Sequence, residues 1–89
     1  MPLVQLSPAI RRQVQVDALQ VDGATAQEAL LAFFCMAPKA RAWVVDDRGR
    51  PWPHVAIFID GRPVVDRALL NDPVQPDSSI EIWPALSGG

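Results

Sequence analysis

Five consecutive apolar residues, Val55-Ala56-Ile57-Phe58-Ile59, run straight into Asp60-Gly61. Their β-branched members occupy alternate positions, which is the period of a strand. Val55, Ile57 and Ile59 therefore point to one face, and Ala56 and Phe58 to the other. The Asp-Gly pair turns the chain back on itself.

A second strand is expected at Ser79 to Trp83, with Ile80 and Ile82 inward and Glu81 and Trp83 outward. Its inward side is too apolar for a frayed edge, which places it centrally in a sheet. Val4 to Leu6 and Arg12 to Asp17 read as two short strands of an opening hairpin, broken by Ser7-Pro8, with Val14 and Val16 facing a core. Val64 and Val65 suggest a short edge strand. The stretch from Arg67 to Pro76 reads as loop or a helical turn.

One helix stands out. Thr25 and Glu28 have the spacing of a capping box, helix propensity is high from Ala26 to Met36, and Pro38 stops the segment. Ala29, Leu30 and Phe33 form the face to be buried. Leu31, Phe34 and Cys35 leave its outer face poor in polar groups, so the following loop is expected to cover them. That loop carries Trp43-Val44-Val45 and Pro51-Trp52-Pro53 as short extended arms around the turn Asp46 to Gly49. The sum is an α+β arrangement, a mixed sheet of four to five strands crossed by one α-helix.

The totals narrow the function. Eighty-nine residues with 49% apolar and 20% charged content describe one ordinary globular domain. A formal net charge of -2 gives no reason to approach a phosphate backbone, so nucleic acid is not an expected partner. The longest apolar run, Ala29 to Ala37, falls short of the roughly 20 residues that span a bilayer. It also lies too far along to be a signal sequence, so a soluble, cytoplasmic protein with no membrane partner is expected. The single cysteine suits a reducing compartment.

The order of elements resembles the β-grasp, or ubiquitin-like, fold. Within it, HVAIFIDGRPV and VQPDSSIEIWPALSGG are similar to the sulfur-carrier proteins, which include the small subunit of molybdopterin synthase, the thiamine-pathway carrier and a carrier of a bacterial cysteine pathway. The matching residues are Val55, Ile57, Ile59, Asp60, Gly61, Asp77, Ile80, Ile82, Pro84, Gly88 and Gly89. Asp60 stands where the family usually has Asn, and Trp83 is larger than the usual residue before that proline. The resemblance implies a β-grasp domain over residues 1–84 and a flexible tail over 85–89 ending in Gly-Gly.

It also implies the chemistry. An adenylating enzyme resembling the ubiquitin-activating enzyme would use ATP on the carboxylate of Gly89. A sulfur donor would then displace AMP, leaving a thiocarboxylate that serves a sulfur-accepting synthase. The reacting atom is the carboxyl carbon of Gly89, and the chain is a carrier, not an enzyme, with no cofactor bound. Glycines suit a tail that threads a narrow channel, because they lack a Cβ. Phe58 and Trp83, facing away from the helix, are expected to form an exposed aromatic patch with Ala56. Together with Leu86, Ser87 and Gly88 they make the partner-binding set. The competing expectation is that the arm around Trp43 and Trp52 folds over these rings. A ubiquitin-like modifier joined through Gly89 to a target lysine shares the same activation chemistry. A plain interaction domain with an inert tail is the third class.

The other candidates read as structural. Cys35, without a nearby histidine, is expected to be an inert packed thiol. His54, the single histidine, cannot build a metal site alone. No phosphate-loop, zinc-protease, C-x-x-C or nucleophile-elbow spacing occurs.

Overall fold

A computed structural model describes residues 1–85. Its sheet is built from β1 (Leu3–Leu6), β2 (Leu19–Gln20), β3 (Val55–Ile59), β4 (Arg62–Pro63) and β5 (Ser79–Pro84). The lateral order is β2-β1-β5-β3-β4. β5 is central as expected, parallel to β1 and antiparallel to β3. Ile57 pairs with Ile82 and Ile59 with Ile80, so the apolar sides of both strands coincide. Val55, Ile57, Ile80 and Ile82 are buried with Val4 and Leu6 of β1 in one core.

That core is closed by α2 (Ala26–Met36), whose bounds match the expected helix. The Thr25 hydroxyl accepts a hydrogen bond from the Glu28 amide at 3.2 Å. Glu28 Oε1 accepts from the Ala24 amide at 2.9 Å, one residue before the cap, so the reciprocal half of the box is displaced. Ala29, Leu30 and Phe33 are buried, joined by Ala26 and Phe34.

Two further helices correct the expected single one. α1 (Pro8–Val14) occupies the place read as the second strand of a hairpin. Ser7 caps it, accepting from the Ile10 amide at 3.3 Å, and Pro8 sits in the first turn, where its missing amide costs nothing. Ile10 and Val14, four apart, are the buried pair; Val16 lies beyond the helix and is only partly buried. The alternation of Val14 and Val16 was thus a coincidence spanning a helix end, where Gln15 takes a left-handed conformation at φ 54°. α3 (Pro38–Val44) starts on the proline that stops α2, and it buries Ala40 and Val44 rather than forming an extended arm. The Asp46–Gly49 turn is present, closed by a bridge between Val45 and Pro51.

The edge strand also moves. Pairing falls on Arg62 and Pro63; Val64 turns into the core and Val65 is 89% exposed. The connection from β3 is a two-residue turn with Asp60 at φ 51° and Gly61 at φ 83°, the pair of left-handed residues that a type I′ hairpin requires. A proline within so short an edge strand discourages further strand addition.

Three aspartates tie the loops. Asp72 accepts from the amides of Val65 and Asp66 at 2.9 and 2.8 Å. Asp60 accepts from the Ser79 amide and the Ser78 hydroxyl, both at 2.9 Å, joining the hairpin to the start of β5. Asp46 accepts from the amides of Arg48 and Arg50. These backbone donors hold all three carboxyls below the ordinary aspartate range; for Asp46 the Arg50 amide leads, for Asp60 Ser79, for Asp72 Val65. A folded-state value below the unfolded one stabilises above the unfolded value, near 3.9. That stability is lost as pH falls through the folded value. The urea midpoint is therefore expected to drop below about pH 4, and Asp72→Asn to lower it at neutral pH while flattening the acid limb. An acid limb as steep in Asp72→Asn as in the parent would contradict this assignment.

Candidate partner-docking face

The outer side of the sheet is uncovered where β3 meets β5. Strand alternation turns Ala56 and Phe58 outward from β3 and Glu81 and Trp83 from β5. The register sets Ala56 opposite Trp83 and Phe58 opposite Glu81. A small residue across from the indole leaves room above the strand, and the result is an open apolar cleft of about 700 Å³. Ala56, Phe58, Gly61, Trp83, Pro84 and Ala85 line it. Trp83 is 40% exposed and Phe58 half-buried, so the rings form the patch expected of them.

Glu81 also lines this cleft, as its one acidic side chain, and its Oε2 accepts from Gln5 Nε2 on β1 at 3.3 Å. On that side, Glu81 and Trp83 also border a polar hollow walled by α1, with Arg11, Arg12 and Asp17. Arg11 and Asp17 are paired there at 2.6 Å. Trp83 therefore stands on the ridge between an apolar cleft and a polar one. The polar wall was not legible in the sequence because α1 was read as a strand; the signal was Ser7-Pro8, a cap followed by a first-turn proline.

The arm around Trp43 and Trp52 does not cover the cleft. Trp52 donates from Nε1 to the Ala42 carbonyl at 2.9 Å and stacks on His54 at 6.1 Å, lining a separate hollow with Trp43. His54 is thus an exposed stacking partner at the start of β3. Cys35 is exposed rather than packed, a correction: like Leu31 it lies on the outward side of α2, whereas Phe34 is buried. Among the described residues no group of three or more His, Cys, Asp or Glu side chains is placed to hold a metal ion. No helix there is long and apolar enough to cross a membrane.

The last described hydrogen bond of the sheet runs from the Ala85 amide to the His54 carbonyl at 2.8 Å. β5 thus delivers the chain at the end of the cleft. The remaining expected site residues, Leu86, Ser87, Gly88 and Gly89, lie outside the described residues.

No protein-family model and no curated protein sequence matches this chain. Solved structures do. SAMP1 from Haloferax volcanii superposes with a TM-score of 0.80 at 21% identity, covering 99% of this chain and 98% of that one. CysO in the Amycolatopsis orientalis BexX/CysO complex gives 0.80 at 18% identity with both chains covered in full. CysO from Mycobacterium tuberculosis gives 0.79 at 16%, over 97% of this chain and 100% of that one. At such identities the likeness establishes the fold, and it is the ubiquitin-like β-grasp.

Proposed function

We propose that this chain is a ubiquitin-like sulfur carrier whose working atom is the carboxyl carbon of Gly89. The observation that carries the reading is the open apolar cleft of Phe58 and Trp83, set where β5 hands the chain on toward the diglycine. A carrier needs a surface for the enzyme that activates it and a thin segment to enter that enzyme's site. An exposed aromatic cleft supplies hot-spot residues for the first task. Leu86, Ser87, Gly88 and Gly89 supply the second, with two residues that lack side chains beside the reacting carbon.

In the proposed sequence of steps, the Gly89 carboxylate attacks the α-phosphorus of ATP in an adenylating partner and pyrophosphate leaves. A sulfur donor then provides a sulfide equivalent to the acyl carbon, AMP departs, and Gly89 carries a thiocarboxylate. A synthase takes the sulfur, and hydrolysis of the remaining acyl bond returns the carboxylate. The chain itself is not an enzyme in this cycle. It contributes recognition and presentation, and it has no cofactor of its own. Among the structural neighbours, CysO occurs in a complex with BexX, which supports reading such a fold as one that docks on a partner protein.

A modifier reading, in which Gly89 is joined to a target lysine, gains support from a neighbour described as a small archaeal modifier protein. Intact mass measurement separates the two. Incubated with ATP, a ubiquitin-activating-like enzyme and a sulfur donor, a carrier gains the mass of one oxygen-for-sulfur exchange, whereas a modifier appears in larger covalent adducts. Deletion of Gly88 and Gly89 is expected to abolish either product. Retention of function by the truncated chain would leave only an interaction domain with an inert tail.

The cleft has its own test. Trp83→Asp is expected to keep the far-UV spectrum and melting cooperativity while slowing ATP–pyrophosphate exchange about tenfold or more, the loss typical of a hot-spot aromatic. Unchanged exchange would remove the cleft from the activation step.

A further inference from the structure

A further hollow, of about 320 Å³, lies on the helix side of the molecule, away from the docking cleft. α2 supplies Leu31 and Phe34, and the segment after β4 supplies Leu69. Leu31 is 55% exposed and Leu69 56%, so an apolar floor is open to solvent. Arg41 from the last turn of α3 and Arg48 and Arg50 from the following turn stand around it.

The rim is charged in a way the rest of the chain is not. Three arginines and a single acidic residue, Asp47, line the hollow, although the whole chain carries a formal charge of -2. Among the described residues, none of the three guanidinium groups donates a hydrogen bond or joins an ion pair. The backbone that presents two of them is fixed nonetheless. Asp46 Oδ1 accepts from the Arg48 amide at 2.9 Å and the Arg50 amide at 3.0 Å, while its own amide donates to the Arg50 carbonyl at 2.8 Å. Gly49 provides the left-handed turn between them at φ 79°.

We propose that this hollow is a docking groove for an acidic amphipathic helix of a partner protein. Leucines one or two turns apart fill the floor formed by Leu31, Phe34 and Leu69, and flanking glutamates or aspartates meet Arg41, Arg48 and Arg50. Helices of this kind dock through apolar anchors in a groove, and guanidinium groups pair with carboxylates in forked geometry. The groove is independent of the cleft at Trp83, so it gives the carrier a face on which a second protein sits while the tail is engaged elsewhere.

The test is a titration of isotope-labelled full-length chain with a synthetic peptide of about four helical turns, leucines at i, i+4 and i+7 and glutamates flanking them. Amide shifts are expected at Leu31, Phe34, Leu69 and the Arg48–Arg50 turn. The double variant Arg48→Ala/Arg50→Ala should weaken binding about tenfold with the fold retained, and added salt should weaken binding to the parent chain. Trp83→Asp should bind as the parent does, which keeps this result separate from the carrier reading. Absence of shifts, equal binding of the counterpart with lysine in place of glutamate, or shifts confined to Ala56 and Trp83 would each overturn the proposal. So would displacement of the peptide by a single-stranded oligonucleotide, which would make the arginines a phosphate site.

Discussion

Gly23→Val is expected to destabilise the domain by about 3 kcal/mol or more and to leave it largely unfolded at modest urea. A Cβ at Gly23 would lie 2.5 Å from the Ala29 nitrogen, 2.8 Å from the Ala29 Cα and 3.0 Å from the Glu28 carbonyl carbon. All three are backbone atoms in the first turns of α2, so no side chain can swing aside. Relief requires the helix to move off the sheet or the Asp22-Gly23 turn to open. Either motion disturbs the Thr25 cap and the burial of Ala26 and Ala29. A domain of this length is worth about 4–13 kcal/mol in total, so the loss is a large share. Gly49→Ala is the matching control: its Cβ meets nothing within 4 Å, leaving only the strain of a positive φ, about 1 kcal/mol. Equal urea midpoints for the two variants would refute the close-approach argument.

The residues that the sequence placed correctly share one property: their signals are local and redundant. In β3, alternation, β-branching and a following Asp-Gly all agree, and the hairpin forms with both turn residues left-handed. In α2, the cap, the helix-forming run and the proline stop agree, and its bounds follow. The errors came where two physical readings fit the same residues. Val14 and Val16 match a strand by period, but Ser7 and Pro8 start a helix whose buried pair is Ile10 and Val14. Pro38 ends one helix and begins the next, because a proline harms a helix only beyond its first turn. Two short helices escaped because seven residues give barely two repeats of the helical period.

The site followed the same division. Phe58 and Trp83 were legible as a patch because outward positions on paired strands are fixed by counting from the buried isoleucines. The polar wall beside Trp83 and the arginine-rimmed hollow were not, since each depends on α1 or α3. The exposure of Cys35 departs from expectation for a related reason. Apolar neighbours in the chain suggested burial, but neighbours along a helix point in different directions, and only Phe33 and Phe34 of that group turn inward.

Phe33→Ala is expected to cost about 3–5 kcal/mol, the range for deleting a buried aromatic ring from a core that cannot collapse around the void. Phe33 is 0% exposed and is the largest fully buried side chain of the domain. It belongs to α2 and shares one core cluster with buried residues of β1, β3 and β5, with the tilted ring of Phe34 beside it at 5.9 Å between centroids. The core cluster that holds Phe33 includes β-branched residues of the sheet, Ile57, Ile80 and Ile82, which have few rotamers with which to fill a void. Phe33→Leu should retain more than half of the lost stability, because most of the volume returns. The outward rings of Phe58 and Trp83 ride on the same strands, so a loosened inner layer is felt at the apolar cleft proposed for docking. In Phe33→Ala, partner-dependent ATP–pyrophosphate exchange is therefore expected to fall at a lower temperature than in the parent, tracking the fraction folded. Exchange that fails while the domain is still fully folded would mean that Phe33 acts on the cleft by some route other than the stability of the sheet.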